Sequence, residues 1–381
     1  MSDPINVLHV MNAFVDGSIA RIVERIIRSS DPDQFSWHIG AVKPEGDFSS
    51  IYEGVGAQVI HFSGSKKGGP PAYLNIRNYV RAHNIQIVHS HTPRTIFDVW
   101  LSQLAKEGNR FYHLATKHLL TTPQDRKFGL AYTLIDILSL YLPDHLIAVS
   151  KTMARKMASM PGMDKKKITA IPNGIPCDEF YLPDLREACR KELGVKEEHT
   201  IIGFTGRISK VKRLDLLLRA FKSIHDRFPQ ARLILAGDGE LRQELEGLAG
   251  SLGLTDSVIW LGFYADVARL LSAIDIYVQP SVNEGLSLSI LEAMAAEKSV
   301  ISTRVGSASE IIQDGISGIL IPPNSALEIE RAIIQMIEQP KERTRLAINA
   351  RNFVQKEYNM NSMVESYYQV YHLMNKSYGQ F

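Results

Sequence analysis

Two glutamates that flank a glycine and a pair of serines are the residues of this sequence best placed to do chemistry. Glu284 precedes Gly285 and Ser287, which predict the start of a helix, and Glu292 follows about two turns into that helix. A helix N-terminus presents unpaired N–H groups and partial positive charge, so it can seat a phosphate. Carboxylates on either side can accept hydrogen bonds from ribose or sugar hydroxyls, which suits a nucleotide diphosphate sugar. The same residues are equally typical of a capped amphipathic helix with two solvated glutamates.

A cationic cluster follows a predicted strand over residues 200–205. Gly206 and Arg207 come directly after that strand, and Lys212 precedes the next predicted helix. Arg suits bidentate contact with a phosphate, and Lys suits a point-charge contact. Because the charges follow the carboxyl end of a strand, the pattern favours phosphate binding over a merely solvated loop.

Strand ends in the first half of the chain carry a glycine loop and several histidines. Gly17 follows the first predicted strand and precedes a helix, which permits close backbone approach by a ligand. We interpret His89 as structural, whereas His91 and His118 are as typical of a structural role as of a functional one. Histidine clusters can bind metals. No nearby Cys, Asp or Glu completes a plausible ligand spacing, so we expect no metal and no cofactor.

Phe263 ends another predicted strand, over residues 258–263 of the second half. Its loop could hold a nucleobase through backbone contacts and stacking, or it could be an ordinary strand-to-helix turn.

The elements that must position these residues are short apolar runs that alternate with helical periodicity, twice over. In the first half, strands are predicted over residues 5–11, 37–42, 58–62, 85–91, 111–117, 145–150 and 168–171. In the second half, they are predicted over residues 200–205, 232–237, 258–263, 276–280, 299–304 and 318–321. Amphipathic stretches such as 214–228 and 240–252 lie between them. Such alternation predicts an α/β protein with parallel sheets covered on both faces.

The length of 381 residues predicts two domains, with a break at the turn-forming segment 172–176. We therefore predict one domain over residues 1–174 and a second over 175–362. Ligands of doubly wound sheets bind beyond the carboxyl ends of the strands, so two facing domains would form a central cleft.

Composition excludes several classes of protein. The net charge is only +2, although residues 1–175 carry 20 Lys and Arg against 14 Asp and Glu. This near-neutral charge disfavours nucleic-acid binding, and the lack of a dinucleotide fingerprint disfavours an oxidoreductase. Two cysteines and no signal-peptide pattern predict a reduced, cytoplasmic protein. The basic first half could attract an anionic substrate or the inner face of a membrane, or it could be an ordinary solvated surface.

The order of these motifs resembles glycosyltransferase family 4, whose members have the GT-B fold, and the resemblance covers nearly the whole chain. The family's two glutamates, with seven residues between them, match Glu284 and Glu292. Its phosphate loop matches Arg207 and Lys212, and its N-terminal glycine loop matches Gly17. The remaining landmarks match residues 89–91, 116–118, 149–150 and 171–174.

The resemblance implies a role for each of these positions. Arg207 and Lys212 would bind the diphosphate, with help from backbone N–H groups near Gly17, Leu288 and Ser289. Glu292 would hold the ribose, Glu284 would contact the transferred sugar, and His118 would lie near the reacting carbon. His91 is expected on the acceptor side. The family keeps the anomeric configuration, needs no metal, and usually has a C-terminal helix (here 363–381) that packs back on the first domain.

The expected activity is therefore retaining transfer from a nucleotide sugar to a sugar or lipid-linked acceptor, as in cell-surface polysaccharide synthesis. A nucleotide-sugar epimerase of the same fold and a two-lobed small-molecule binding protein are the alternatives. Ser18, Ser307, Glu297 and Ser299 depart from the family pattern, and Ser18 could narrow the room beside the phosphate.

Overall fold

A computed structural model of the chain describes residues 3–15, 17–44, 46, 48–62, 70–104, 110–120 and 129–378. Its contacts form two compact units. The N-terminal unit comprises Met1–Asn173 and Asn361–Phe381, and the C-terminal unit comprises Gly174–Met360.

A seven-stranded parallel sheet forms the centre of the N-terminal unit, in the order β3-β2-β1-β4-β5-β6-β7. Its strands are β1 (Ile5–Met11), β2 (Phe35–Ala41), β3 (Gln58–His61), β4 (Ile87–Ser90), β5 (Tyr112–Lys117), β6 (His145–Ala148) and β7 (Ile168–Ala170). The helices between them are α1 (Ser18–Arg28), α2 (Ser49–Glu53), α3 (Ala72–Ala82), α4 (Pro93–Gln103), α5 (Gly129–Leu138) and α6 (Lys151–Ala158).

The C-terminal unit is built on a six-stranded parallel sheet in the order β10-β9-β8-β11-β12-β13. Its strands are β8 (Thr200–Thr205), β9 (Ala231–Ala236), β10 (Val258–Gly262), β11 (Ile276–Gln279), β12 (Ser299–Thr303) and β13 (Ile319–Ile321). Its helices are α7 (Cys177–Phe180), α8 (Arg186–Glu192), α9 (Leu214–Arg227), α10 (Arg242–Ser251), α11 (Val267–Ala273), α12 (Leu288–Ala295), α13 (Ala308–Ile311), α14 (Ala326–Glu338) and α15 (Pro340–Glu357).

The α/β class is confirmed, since each unit is a Rossmann-like, doubly wound parallel sheet. Each predicted strand segment overlaps an observed strand, and the two agree to within about two residues at either end. The prediction succeeded because central strands such as β8 and β11 are buried almost throughout and consist mostly of apolar residues.

Strand order reverses between β1 and β4 in the first sheet and between β8 and β11 in the second. A parallel, doubly wound sheet binds its ligands outside the carboxyl ends of the strands at such a reversal. The segments after β8 and β11 contain Arg207 and Glu284, and the segments after β1 and β4 contain Gly17 and His91. The fold therefore places predicted site residues at the switch point of each sheet.

The last helix, α16 (Met360–Tyr378), lies largely in the N-terminal unit and packs a row of tyrosines into it. Tyr367 and Tyr371 are buried, and the hydroxyl of Tyr368 donates a hydrogen bond of 2.8 Å to the carbonyl of Ile26. Among the helices of the described residues, none combines the length and the hydrophobicity required to cross a lipid bilayer.

Candidate active site

The loops that follow β8, β9 and β10 touch one another through their backbones. Ile208 N donates to Asp238 O at 2.9 Å, and Gly237 N donates to Gly262 O at 2.6 Å. Gly237 has a φ of 137°, and a Cβ there would lie 1.9 Å from the carbonyl oxygen of Gly206. Only glycine fits this position. The loop that carries Arg207 therefore packs directly against the backbone of the loop after β9.

The segment that carries Glu284 is fastened between two other loops. Val282 N donates to Val211 O at 2.8 Å, which joins it to the loop after β8. On its other side, Gly306 has a φ of 55°, and a Cβ there would lie 1.9 Å from the carbonyl oxygen of Glu284. The backbone of Glu284 is therefore positioned by contacts from the ends of β8 and β12.

We expect Gly306→Ala to lower the free energy of unfolding by about 1–3 kcal/mol and to lower activity, because the new methyl group would displace the backbone of Glu284. Gly315→Ala is the matched control: Gly315 has a similar φ of 70°, but a Cβ there meets no atom within 4 Å. Urea unfolding of both variants measures the difference. Equal losses in the two variants would show that backbone strain alone, and not the clash with Glu284, is responsible.

Three donors converge on one oxygen of Glu284. Lys212 Nζ, Gln279 Nε2 and Ser281 Oγ lie 2.6, 2.7 and 2.6 Å from Glu284 Oε1. The side chains of Lys212 and Glu284 are only 15% and 14% exposed, so the ion pair is well shielded from water. Two residues predicted to bind different parts of a ligand are thus direct partners in this structure.

Arg207 and Phe263 present exposed side chains on neighbouring loops. The Arg207 side chain is 71% exposed, and its Nη2 lies 3.4 Å from Glu240 Oε2. Phe263 is 74% exposed and follows the edge strand β10. An exposed guanidinium and an exposed aromatic ring at strand ends are groups that a phosphate and a nucleobase can contact.

Helix α12 begins at Leu288, with Ser287 as its N-cap residue, inside the segment from Gly285 to Ser289 that predicted its start. The prediction that Glu292 lies about two turns into the helix is wrong, since Glu292 is the fifth residue of α12. The carbonyl of Gly285, which precedes the helix, accepts a hydrogen bond of 3.3 Å from Ser307 N. A Cβ built on Gly206 would lie 3.9 Å from Ser289 Oγ, so the first turn faces the loop after β8.

In the N-terminal unit, His91 directly precedes the N-terminus of α4, where hydrogen bonds hold the backbone in position. Thr92 and Thr95 form a capping box at the start of α4, and His91 N donates to Thr95 Oγ1 at 3.3 Å. His118 follows β5, and its Nε2 lies 3.4 Å from His91 Nδ1. The two predicted histidines are therefore neighbours.

Gly17 is the N-cap residue of α1 and is exposed. Its φ of 171° is extended, and a Cβ there would meet no atom within 4 Å. The expectation that Ser18 narrows this loop concerns a side chain outside the described part of the structure.

His9 of β1 is a neighbour of the predicted site residue His91 that sequence reasoning missed. It lies opposite His89 in the β1–β4 register, and its Nδ1 is 2.9 Å from His91 Nε2. Burial lowers the pKa of His9 to about 3, and burial together with the Lys117 ammonium lowers the pKa of His118 to about 4. Both rings are therefore neutral at pH 7. A histidine between Leu8 and Val10 of a central strand was the available signal.

The ring nitrogens of His9, His89 and His91 lie within 4.8 Å of one another, close enough for a shared metal ion. The expectation of no metal rested on missing Cys, Asp and Glu residues and did not foresee this trio. Each of these rings also has protein partners: for example, His89 Nε2 lies 2.7 Å from Thr116 Oγ1. The trio therefore serves as part of a hydrogen-bonded network.

Family models match segments of both units. The model for glycosyl transferases group 1 matches residues 186–353, and the model for glycosyltransferase family 4 matches residues 35–179. The chain belongs to glycosyltransferase family 4. Its residues Glu284, Glu292, Arg207 and Lys212 lie inside the first of these matches, and His91 and His118 lie inside the second.

Relatives of this family 4 chain support the same assignment. Glycosyltransferase MJ1607 of Methanocaldococcus jannaschii is 30% identical over 251 residues, which are 65% of this chain and 64% of that relative. The D-inositol 3-phosphate glycosyltransferase of Stackebrandtia nassauensis is 26% identical over 376 residues, which are 91% of this chain and 81% of that relative. The chain thus spans just under two thirds of the first relative's length.

The GT-B fold of this family 4 chain is also that of Anabaena Alr3699/HepE, whose crystal structure was determined in complex with UDP-glucose. The two structures superpose with a TM-score of 0.85 at 20% sequence identity, covering 99% of this chain and all of the other.

Proposed function

We propose that this protein transfers a sugar from a nucleotide diphosphate sugar to an acceptor hydroxyl, with retention of the anomeric configuration and without a metal. The observation that carries the proposal is the group of cationic side chains and helix N-terminal N–H groups at the switch point of the C-terminal unit. Lys212, Arg207 and the first turn of α12 lie there, beside the shielded carboxylate of Glu284.

The charges in this group match a departing diphosphate. As the bond between the anomeric carbon and the phosphate oxygen breaks, negative charge develops on the diphosphate. Fixed cations and helix N–H groups stabilise that charge. Lys212 and Arg207 supply the cations, and Leu288 and Ser289 supply N–H groups at the start of α12. In this proposal Glu292, one turn further along, accepts hydrogen bonds from the ribose.

We propose front-face transfer, in which the acceptor oxygen bonds to the anomeric carbon while its proton moves to the departing phosphate oxygen. A double displacement would require a carboxylate nucleophile. Oε1 of Glu284 already accepts hydrogen bonds from Lys212, Gln279 and Ser281, which reduce its nucleophilicity. Glu284 therefore contacts sugar hydroxyls in our proposal, and the neutral ring of His118 contacts the same sugar.

Ligand-dependent stabilisation followed by product analysis tests this function. We expect a nucleotide diphosphate sugar to raise the melting temperature, because it binds only the native state. UDP-glucose is the first donor to try, and a panel with other bases and sugars follows. Glu292→Gln should weaken this stabilisation, measured as the rise in melting temperature of the variant over its own ligand-free state.

Products distinguish transfer from other chemistry. Release of the nucleoside diphosphate that depends on an added acceptor, with a retained linkage, is the expected result. Conversion of the donor to an isomeric nucleotide sugar without acceptor would identify an epimerase, and binding without turnover would identify a binding protein. A covalent sugar adduct on Glu284 would contradict front-face transfer.

We further propose that the acceptor is lipid-linked and that the N-terminal unit binds the inner face of an anionic membrane, as in cell-surface polysaccharide synthesis. Leu134, Leu138 and Tyr141 are exposed at positions that share one side of α5 and the turn after it. The hydroxyl of Tyr141 donates to Pro161 O at 2.7 Å, which ties this apolar strip to the loop before Lys165–Lys167. Exposed apolar side chains beside lysines are typical of an interfacial surface.

We expect the protein to co-sediment with phosphatidylglycerol vesicles and much less with phosphatidylcholine vesicles. Leu134→Asp should lower the partition coefficient about tenfold, the effect of losing one buried leucine side chain. Leu327→Asp, which changes an equally exposed leucine of the C-terminal unit, is the matched control. Equal binding of the two variants, or no preference for the anionic lipid, would rule out this surface.

A further inference from the structure

A continuous chain of hydrogen-bonded side chains runs from α16 through the N-terminal sheet to His118. Its successive contacts are Thr116 Oγ1–His89 Nε2 (2.7 Å), His89 Nδ1–Tyr371 Oη (2.8 Å), Tyr371 Oη–His9 Nε2 (3.3 Å), His9 Nδ1–His91 Nε2 (2.9 Å) and His91 Nδ1–His118 Nε2 (3.4 Å). Its members come from β1, β4, β5, α16 and the loops after β4 and β5.

The four imidazole rings in this chain are neutral. Burial lowers the pKa of His9 to about 3 and, with the nearby Lys117 ammonium, that of His118 to about 4. Burial and neighbouring imidazoles hold the pKa of His89 and His91 well below the ordinary range. A neutral imidazole has one N–H and one bare nitrogen. Each ring inside the chain must therefore donate at one nitrogen and accept at the other.

Tyr371 couples the two ends of the chain. Its hydroxyl has one proton, and this buried proton is hydrogen-bonded only if Tyr371 donates to one of His89 and His9 and accepts from the other. The orientation of every other bond follows from this choice. Only two arrangements place one proton in each contact and also give the Tyr371 proton an acceptor, and they leave His118 either with a bare Nδ1 or with an Nδ1–H.

The far end of the chain decides between these arrangements. Within the described residues, the buried hydroxyl of Tyr367 has one hydrogen-bond partner, Thr116 Oγ1, at 3.4 Å. If Thr116 accepts this proton, its own proton goes to His89 Nε2, and each later bond points towards His118. In the reverse arrangement His89 donates to Thr116, so the hydroxyls of Thr116 and Tyr367 share two protons and only one contact. One of these two protons then has no acceptor among the described residues, and an unpaired buried donor is destabilising.

We propose that Tyr367 and Tyr371 of the C-terminal helix fix His118 as its Nδ1–H tautomer through this chain, which makes His118 a neutral hydrogen-bond donor to the substrate. Tyr371 and His9 are positioning residues, since they act through His91. The partner of Nδ1–H is an oxygen of the transferred sugar, and this last step rests on the proposed function. The tautomer itself does not depend on it.

Long-range proton–nitrogen correlation spectra of protein labelled with ¹⁵N-histidine test the tautomer directly. The spectrum of His118→Gln identifies the signals of His118. We expect the full-length wild-type protein at neutral pH to show an Nδ1–H pattern for His118. An Nε2–H pattern, or a metal-shifted ring in a protein that carries stoichiometric metal, would overturn the proposal, whether or not the protein proves to be a transferase.

Tyr371→Phe tests the coupling, because it removes the hydroxyl that joins His89 to His9 and keeps the ring. We expect His118 to become a mixture of tautomers and kcat to fall about three- to tenfold, the factor that one neutral hydrogen bond contributes. Tyr368→Phe is the matched control, since the hydroxyl of Tyr368 bonds to Ile26 O and lies outside the chain. An unchanged His118 tautomer in Tyr371→Phe, or the same shift in Tyr368→Phe, would overturn the role of Tyr371. If Tyr371→Phe does not fold, the wild-type spectrum still decides the direction of the chain.

Discussion

Lys212→Ala is expected to lower kcat/KM for the nucleotide-sugar donor about a hundred- to a thousandfold, the loss typical of removing one fixed donor to a developing negative charge. In the proposed reaction, the departing diphosphate gains charge as the glycosidic bond breaks. Lys212 Nζ is held at the switch point of the C-terminal sheet by its 2.6 Å bond to Glu284. Because the lysine side chain is only 15% exposed, water in the variant would compensate poorly for the loss of its positive charge.

Steady-state kinetics with varied donor measures this loss, and Lys210→Ala is the matched control. Lys210 belongs to the same short 3₁₀ turn, Lys210–Lys212, but its side chain is exposed. Similar losses in the two variants would indicate a general effect of the positive loop, and near-normal turnover of Lys212→Ala would contradict the assignment. Kinetics of Glu284→Gln and of the double variant complete a double-mutant cycle. The cycle separates the direct attraction of Lys212 for the phosphate from the effect of Lys212 on the position of Glu284.

The second large effect concerns stability in acid. Burial lowers the pKa of His9 and His113 to about 3 and, with Lys117, that of His118 to about 4, whereas an unfolded histidine titrates at about 6.5. As the pH falls below 6.5, these histidines bind protons in the unfolded chain but remain neutral in the native state. The stabilisation present above pH 6.5 is therefore lost on acidification, by about 2 kcal/mol per histidine at pH 5.

Together these three histidines remove about 6 kcal/mol by pH 5, a large part of a typical domain's stability. Urea unfolding at about pH 7.5 and about pH 5, followed by tryptophan fluorescence, measures the change. His113→Gln should be less stable than the wild type at neutral pH, yet it should lose about 2 kcal/mol less on acidification. A pH dependence identical to that of the wild type would show that His113 is not held neutral by burial.

Strand positions and the class of the fold were predictable because buried parallel strands leave a local pattern. Residues 200–205 and 276–280 read as apolar runs, and the structure has β8 and β11 there. Predicted site residues followed from the same pattern, since Arg207 and Glu284 come directly after strands. The hydrogen bond from Ser307 N to the carbonyl of Gly285 was not predictable, because it joins segments that are distant in the sequence.

The amino-acid sequence by itself determined the strands, the helices and the residues that lie at strand ends, because hydrophobic periodicity is a local property. Only the tertiary structure decided which of these residues meet. Lys212 reaches Glu284 across 72 residues, and Tyr371 reaches His89 across 282 residues. Such pairs depend on strand order, register and the packing of the last helix, which no local pattern encodes. His9 thus becomes a partner of His91 only when β1 lies beside β4.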